Sequence, residues 1–455
     1  MPKRFPDRDE IAAVRDETGS LEPGGESPDE RRLAGRVLAR RGMGKLTFLD
    51  LVDRSGRIQL LCPVERTGEV DVHLGDIVGV TGHPAKSRRG EPSLLVDKLE
   101  VLATIRAPLP DTFHGLTDVE QRYRRRYLDL LMNEETRSDF VLRARIVTAV
   151  RRALDDEGFV EVETPILQPR YGGAFARPFD THHNELDQKL YLRIATELYL
   201  KRLIVGGLER VYEIGKDFRN EGVSFKHNPE FTMLEWYEAY ADYHDTMDRM
   251  ERLVERVAGE ALGTTRVTFR GHDIDLSSWR RVKLTEALAE HGLWTRDEAE
   301  LRAKLNERGV VTEHDRTWAQ LIDHALSHYV EPGLIQPTIL HDYPVELSPF
   351  ARPTGEEGIV ERFEYYVGGM ELGNAFTEIN DSEEQAARFR MQADEGAGGN
   401  VEAEPGDPDY VEALSYGMPP TGGLGMGIDR LSMLLLGKDS IRDVILFPAL
   451  RELPR

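Results

Sequence analysis

The stretch that most constrains this chain is VYEIGKDFRNEGVSFKHNPEFTMLEWYEAYADY, residues 211–243. Residues 212–218 alternate apolar and polar side chains, the period of a half-buried strand. Asn220, Glu221 and Gly222 carry a turn signal, and residues 230–237 alternate again as a returning strand. A hairpin follows, with Arg219 at a strand end and Glu221, His227, Glu230 and Glu235 on or beside it. Charges this dense are costly to bury without partners. A solvated hairpin accounts for any one of them. It accounts less well for the ensemble, because Phe225, Phe231, Trp236 and Tyr237 are interleaved with the charges. Arginine beside aromatic faces suits a base and a phosphate, and carboxylates suit a cation. The pattern implies a nucleotide and a cationic partner bound side by side.

At 455 residues the chain has room for two or three domains. Its formal net charge of −22 argues against general nucleic-acid binding through bulk charge, so any RNA contact must use local basic patches. The single cysteine, Cys62, excludes a disulfide framework and a cysteine-based zinc site; it reads as a small buried residue in a strand. The N-terminus has no apolar core of a signal peptide, and no run reaches membrane-spanning length. The expected location is cytoplasmic and reducing, with no membrane contact.

Residues 1–30 form a charged extension, with a short helix expected over 7–17 and a flexible linker over 21–28. From 31 to 104 five short alternating segments are separated by turn signals, the pattern of a small oligonucleotide-binding (OB-fold) barrel. It carries Arg36, Arg40, Arg41, Lys45, Phe48, Arg57, Gln59, Lys86, Arg88 and Arg89. Basic groups with an aromatic suit single-stranded RNA, although Phe48 fits a barrel core equally well. Residues 105–138 read as a linker or hinge. Its basic run Arg122, Arg124, Arg125 and Arg126 fits either a solvated face or a contact to RNA or a second subunit.

Residues 139–158 have helical spacing, and FVEVETPIL follows as a strand broken at Pro165. A glycine-led loop covers 172–184; its His182-His183 pair lacks a third ligand at metal spacing. A strand over 190–193 precedes a helix starting at Thr196, with Glu197 in the first turn, where the macrodipole favours an anion. A helix-rich insertion is expected near 284–329. In residues 362–381 a Gly368-Gly369 turn joins two strands and sets Glu364 opposite Glu371. As surface acids they need no explanation; as a facing pair they suit magnesium bridged to phosphates. Residues 393–409 read as a mobile acidic, glycine-rich loop. Near the end a glycine-rich turn leads into an apolar helix, residues 428–436. It is no Walker loop, but Arg430 at the helix start can reach phosphates.

FRNEG with HNPEFTMLEWY resembles motif 2 of the class II aminoacyl-tRNA synthetases, in the lysyl type of subclass b. The helix, strand and proline of 139–167 resemble motif 1, and GLGMGIDRLSMLL followed by IRDVILFP resembles motif 3. GRVLARRGMGKLTFLDLVDRSGRIQL resembles the anticodon-binding barrel of lysyl- and aspartyl-type members. The resemblance runs from Arg31 to Arg451. It implies an α+β protein: a five-stranded OB-fold barrel (31–104), a hinge (105–138) and a class II catalytic domain (139–455) with an antiparallel sheet flanked by helices. It implies a homodimer joined through motif 1, and ATP-dependent activation of L-lysine followed by transfer to the 3′ end of tRNA(Lys), with Mg2+.

The roles so implied are these. Arg219 and Arg430 are catalytic. ATP meets Arg219, Glu221, His227, Phe231, Glu364 and Arg430, and the metal meets Glu364 and Glu371. Lysine meets Gly173, Glu197, Glu235, Tyr237, Asn374, Phe376 and Glu378. Phe48, Gln59 and Glu91 read the anticodon. An aspartyl member would need a basic side chain in ELGNAFTEIND, which offers none. Four departures stand out: Thr196 where the family usually has proline, Met370 for arginine, Ala375 for a second glycine, and a bulky Phe175. Ala375 is expected to press on the lysine stem and weaken affinity. The alternative is a diverged paralogue that aminoacylates another acceptor or acts as a tRNA-binding regulator.

Overall fold

The alternating segments between Arg31 and Ala103 close into a barrel. The computed structural model describes residues 2–110, 116–348, 350–397 and 406–452. The chain divides into two units: Met1–Arg122 with Tyr127–Asn133, and Tyr123–Arg126 with Glu134–Arg455.

In the first unit a short helix α1 (Ile11–Glu17) precedes strands β1 (Arg31–Met43), β2 (Leu46–Val52), β3 (Arg57–Pro63), β4 (Ile77–Lys86) and β5 (Pro92–Ala103). They close in the order β1-β2-β3-β5-β4. Alternate residues point inward, so Leu33, Val37, Leu49, Leu51, Leu60 and Val80 form the core. Cys62 lies fully inside it, and burial pushes its thiol up to about 12. The extension is not free: Ile11 and Val14 of α1 are completely buried in the same core. The segment expected as a flexible linker pairs with β4 instead. Gly24 N–H donates to the Lys86 carbonyl at 2.9 Å, and Ser27 N–H to the Pro84 carbonyl at 2.7 Å. The reason is an open edge, because β1 pairs with β4 only from Ile77 to Gly82, and residues 24–27 cover the rest.

The second unit holds an eight-stranded sheet. Helix α2 (Glu134–Asp156) leads to β6 (Val160–Glu161), then α3 (Glu197–Val205), β7 (Arg210–Phe218), β8 (Glu230–Ala239) and α4 (Tyr243–Leu262). After β9 (Arg280–Lys283) and the insertion come β10 (Thr338–Pro344), β11 (Ile359–Val367), β12 (Met370–Thr377), β13 (Thr421–Gly427) and α5 (Ile428–Leu436). The order across the sheet is β9-β10-β11-β12-β13-β8-β7-β6, antiparallel except at its two ends. Helices α2, α4 and α5 cover one face, burying Ile146, Val150, Met247, Val254, Leu431 and Leu434 against Tyr212, Trp236 and Leu424. The insertion (helices Leu284–Glu290, Glu298–Glu307 and Trp318–Ala325) builds its own core around Leu288, Leu301, Leu305 and Leu321.

Four expectations change here. FVEVETPIL contributes only to two two-residue strands, β6 and Leu167–Gln168, on either side of Pro165, which can donate no hydrogen bond to a ladder. The glycine-rich turn near the end is the strand β13, between β8 and β12. The acidic loop over 393–409 is helical at both ends, in Ser382–Ala397 and from Pro408; residues 398–405 lie outside the described residues. Arg126 is not a solvated cation. It is 1% exposed and donates to the carbonyls of Leu446 at 3.0 Å and Arg442 at 2.8 Å. Among the described residues no helix is long and apolar enough to cross a membrane.

Candidate active site

The β7–β8 hairpin has the register that alternation implies, from Arg210 opposite Glu238 to Phe218 opposite Glu230. Arg219 continues it, its N–H donating to the Pro229 carbonyl at 2.9 Å, and residues 220–228 project as a loop. Gly368 and Gly369 both have positive φ, 61° and 68°, as a tight hairpin turn between β11 and β12 requires. Two cavities open on the sheet face away from α2 and α4.

The first, of about 150 Å³, is lined by Arg219, Glu221, Lys226, His227, Phe231, Glu371, Asn374 and Arg430, among others. The Arg219 guanidinium stands 5.1 Å from the Phe231 ring centre, and no carboxylate pairs with it among the described residues. Arg430, in the first turn of α5, donates from Nη1 to the Glu371 carbonyl oxygen at 2.8 Å and to its carboxylate at 3.0 Å. Its Nη2 lies 3.4 Å from His227 Nε2. Desolvation and the adjacent Arg430 push the His227 imidazole down to about 4, so it is neutral at pH 7. Burial raises the Glu371 carboxyl, but Arg430 and Arg362 outweigh it and hold the carboxyl below its ordinary value. Asp429 anchors the floor, accepting from Thr232 N–H at 2.7 Å and from Arg143 at 2.6 Å.

The second cavity, of about 230 Å³, is lined by Gly173, Glu197, Glu235, Tyr237, Asn374, Phe376 and Glu378. All seven residues named for lysine therefore meet. Its chemistry is the opposite of the first. Glu235 and Glu378 are buried. Desolvation, with Asp217 and Glu197 nearby, pushes Glu235 up to about 8. Glu235 accepts from Thr196 N–H at 3.2 Å and from the Tyr237 hydroxyl at 3.3 Å. Gly173 has φ +84°, and a Cβ there would stand 2.8 Å from the Glu197 Cβ. At Gly423 of β13 a Cβ would overlap both the Glu378 carboxylate and the Tyr237 ring, which is why a strand here carries glycine. Arg219, Met233 and Asn374 line both cavities, so one guanidinium serves the two.

Glu364 and Glu371 are not directly opposite. A bulge between Tyr365 and Tyr366 sets Glu364 against Asn374 and Glu371 against Tyr366, leaving the two as offset neighbours on one face. Glu364 accepts from Arg362 at 2.6 Å and from the Tyr366 hydroxyl, and it does not line the first cavity. Ala375 does not press on the second cavity: it is 1% exposed and packs in the opposite core, while its neighbours Asn374 and Phe376 face the cavity. Met370 lies in that core too, and Phe175 stacks on Phe350 at 6.1 Å. Thr196 supplies an N–H that proline lacks, and its hydroxyl is buried with no hydrogen-bond partner among the described residues.

One charged residue beside the site escaped the sequence reading. Lys201, one turn after Glu197 on α3, is buried with its ammonium 2.6 Å from Glu197 and ion-paired to Glu378. The cavity thus does hold basic groups, Arg219 and Arg362, with Lys201 behind its wall; Arg362 and Lys201 are matched by glutamate.

In the first unit, β2 turns Leu49 and Leu51 inward and leaves Phe48 half-buried outside the core. Gln59 sits opposite Asp50, accepting from the Ser93 hydroxyl at 3.3 Å, and Glu91 is exposed just ahead of β5.

A barrel of this kind and an antiparallel sheet bearing two joined cavities define a class of protein. Residues 118–451 match the family described as tRNA synthetases class II (D, K and N), and residues 32–102 match the OB-fold nucleic acid binding domain. The chain belongs to the class II tRNA synthetases. Within that class it is similar to proteins named lysine–tRNA ligase. The one from Carboxydothermus hydrogenoformans is 51% identical over 433 residues, covering 92% of this chain and 88% of that protein. Those from Synechococcus and Methanoculleus marisnigri are 48% and 47% identical, covering 98% and 99% of this chain and 94% and 91% of theirs.

Proposed function

We propose that this chain is a lysine–tRNA ligase that forms lysyl-adenylate from ATP and L-lysine and passes the lysyl group to the 3′ end of tRNA(Lys). The observation that carries the reading is the junction, at Arg219, of a cavity lined by Phe231, His227 and Arg430 with one lined by the three carboxylates Glu197, Glu235 and Glu378. A lysine carboxylate oxygen attacks the α-phosphorus, the bond to the bridging oxygen breaks, and pyrophosphate leaves. A terminal ribose hydroxyl then attacks the lysyl carbonyl carbon. AMP leaves, and the hydroxyl proton passes to it or to solvent. No protein nucleophile takes part.

Arg219 holds the α-phosphate and the substrate carboxylate, where charge builds in the first step. Phe231 stacks the adenine, with Arg430 on its other face. His227 and Arg430 bind the outer phosphates, and Glu221 borders the nucleotide. Glu197 and Gly173 take the α-amino group. Glu378, Tyr237 and Glu235 take the ε-ammonium, and Asn374 and Phe376 line the stem. A buried ammonium requires an anion, and this cavity supplies three carboxylates.

Glu371 and Glu364, carboxylates of adjacent strands on one sheet face, would hold a magnesium ion, which would supply positive charge to neutralise phosphate oxygens. Arg430 and Arg362 now pair with those carboxylates and would shift toward substrate oxygens. Residues 31–104 act as the anticodon-binding domain, with Phe48 stacking a base and Gln59 and Glu91 reading its edge. Residues 105–138 act as the hinge, and 139–455 as the catalytic domain. Val141, Val160, Ile166 and Leu167 on and after α2 are 44–54% exposed, which supports a homodimer through that segment. The enzyme works in the cytoplasm, where its tRNA is.

The test is lysylation of purified lysine tRNA, with lysine-dependent pyrophosphate exchange measured alongside. Both activities are expected. Exchange without charging would redirect the adenylate to another acceptor, and the absence of both would overturn the reading.

A further inference from the structure

Lys201 belongs to none of the roles assigned above. Its side chain is 2% exposed, and its ammonium touches Glu197 and Glu378 at once. Three rings surround it, Phe376 at 5.4 Å, Tyr237 at 5.7 Å and Tyr410 at 5.9 Å. Two carboxylates within aromatic walls are also what the neighbouring cavity offers a lysine substrate. The protein has placed its own lysine behind the wall of that cavity, and two of the rings and both carboxylates are shared with the cavity lining.

The charges fix what this residue does. With all groups ionised and Arg362 matched by Glu364, Glu197, Glu235 and Glu378 against Lys201 and Arg219 leave an excess of one negative charge. Lysine, with two ammonium groups and one carboxylate, matches that excess. Without Lys201 the carboxylates would repel one another in a buried place, and at least one would take up a proton or swing away. Glu235, which has no cation of its own, is already pushed up to about 8. Lys201 stays charged: burial works against its charge, and Glu197 and Glu378 outweigh burial, holding it well above its ordinary value. Apart from this ion pair, neither Glu378 oxygen has a hydrogen-bond partner among the described residues. One side of that carboxylate is therefore fixed and the other is free to receive a ligand.

We propose that Lys201 is a positioning residue that sets the length of the amino-acid cavity. By bridging Glu197 and Glu378 with one ammonium, it fixes the separation between the carboxylate for the α-amino group and the carboxylate for the ε-ammonium. The inference rests on the ligase reading above. It makes chain-length selectivity a property of an internal ion pair rather than of the cavity walls.

The test is pyrophosphate exchange by the full chain with lysine and with ornithine, which is one methylene shorter. Lys201→Met keeps the volume and removes the charge. It is expected to raise the KM for lysine by about tenfold or more, with kcat falling less and the KM for ATP unchanged. The wild-type preference for lysine over ornithine is expected to fall by roughly tenfold. Lys201→Ala leaves a space between the carboxylates, and added propylammonium is expected to restore both the lysine KM and the preference. A purely structural lysine would show no such rescue. Should Lys201→Met not fold, Lys201→Gln, which keeps a donor amide in place, carries the same measurement. An unchanged KM and preference in the folded variant, or a Lys201→Ala defect that propylammonium leaves untouched, overturns the proposal. The wild type separates the two failures: without lysine-dependent exchange there, the ligase reading falls and this inference with it, whereas an active wild type and an indifferent variant remove this inference alone.

Discussion

The two cavities meet at Arg219 yet are built in opposite ways. The nucleotide side comes largely from one hairpin and the start of α5, and desolvation together with the adjacent Arg430 lowers the proton affinity of its histidine. The amino-acid side is assembled from eight separate segments, and burial, with like charges close by, raises the proton affinity of Glu235 and Glu378. The second therefore waits for positive charge, which ties affinity to identity: a phosphate there would add to its excess of carboxylates, whereas the first already sets three cations against three carboxylates.

The strongest way to break the contrast is to remove the group both sides share. Arg219→Ala is expected to lower exchange by about a thousandfold, with charge on the α-phosphorus left uncompensated. Glu378→Gln attacks one side alone. The KM for lysine is expected to rise roughly a hundredfold while the KM for ATP holds, since a buried cation loses its anion. Equal changes in both constants would dissolve the distinction. Phe48→Ala leaves both cavities intact. It is expected to weaken tRNA charging by about tenfold at limiting tRNA with exchange unchanged, the cost of one lost stacking contact.

The smallest expected effect sharpens the comparison through pH. Glu235 stands at about 8 in the folded empty protein against an ordinary 4.5, so its protonated form is favoured by folding. That stabilisation is complete below about pH 4.5 and is lost as pH rises toward about 8. A lysine ammonium favours the ionised form, so binding releases a proton. Lysine KM is expected to fall by up to about tenfold per pH unit as pH rises from about 6 to about 8, and Glu235→Gln is expected to flatten the profile.

Legibility in the sequence followed locality. The β7–β8 and β11–β12 hairpins, the barrel strands and α5 were readable because alternation, turn glycines and helical spacing are short-range signals. All seven residues assigned to the amino-acid cavity by resemblance do meet there. Other features depended on partners far along the chain. β13 reads as a turn because glycine is poor in strands; only the Glu378 carboxylate and the Tyr237 ring, packed on Gly423, explain it. The offset of Glu364 from Glu371 comes from a one-residue bulge that no pattern marked. The inward direction of Ala375, by contrast, was available from alternation with Asn374 and Phe376. Lys201 was hidden in LYLKRL as an ordinary helical cation. Its one signal was Glu197 four residues earlier, a same-face pair on a helix whose flanking Leu198 and Leu200 are buried.

The most direct test of the central claim is amino-acid-dependent pyrophosphate exchange by the full chain, run in parallel with lysine, aspartate and asparagine, the three amino acids of the matched family's description. A carboxylate-rich cavity predicts exchange with lysine and none with the other two. Exchange driven by aspartate or asparagine would contradict the account, since the three glutamates would then have to accept a substrate that adds to their charge or leaves it unmatched.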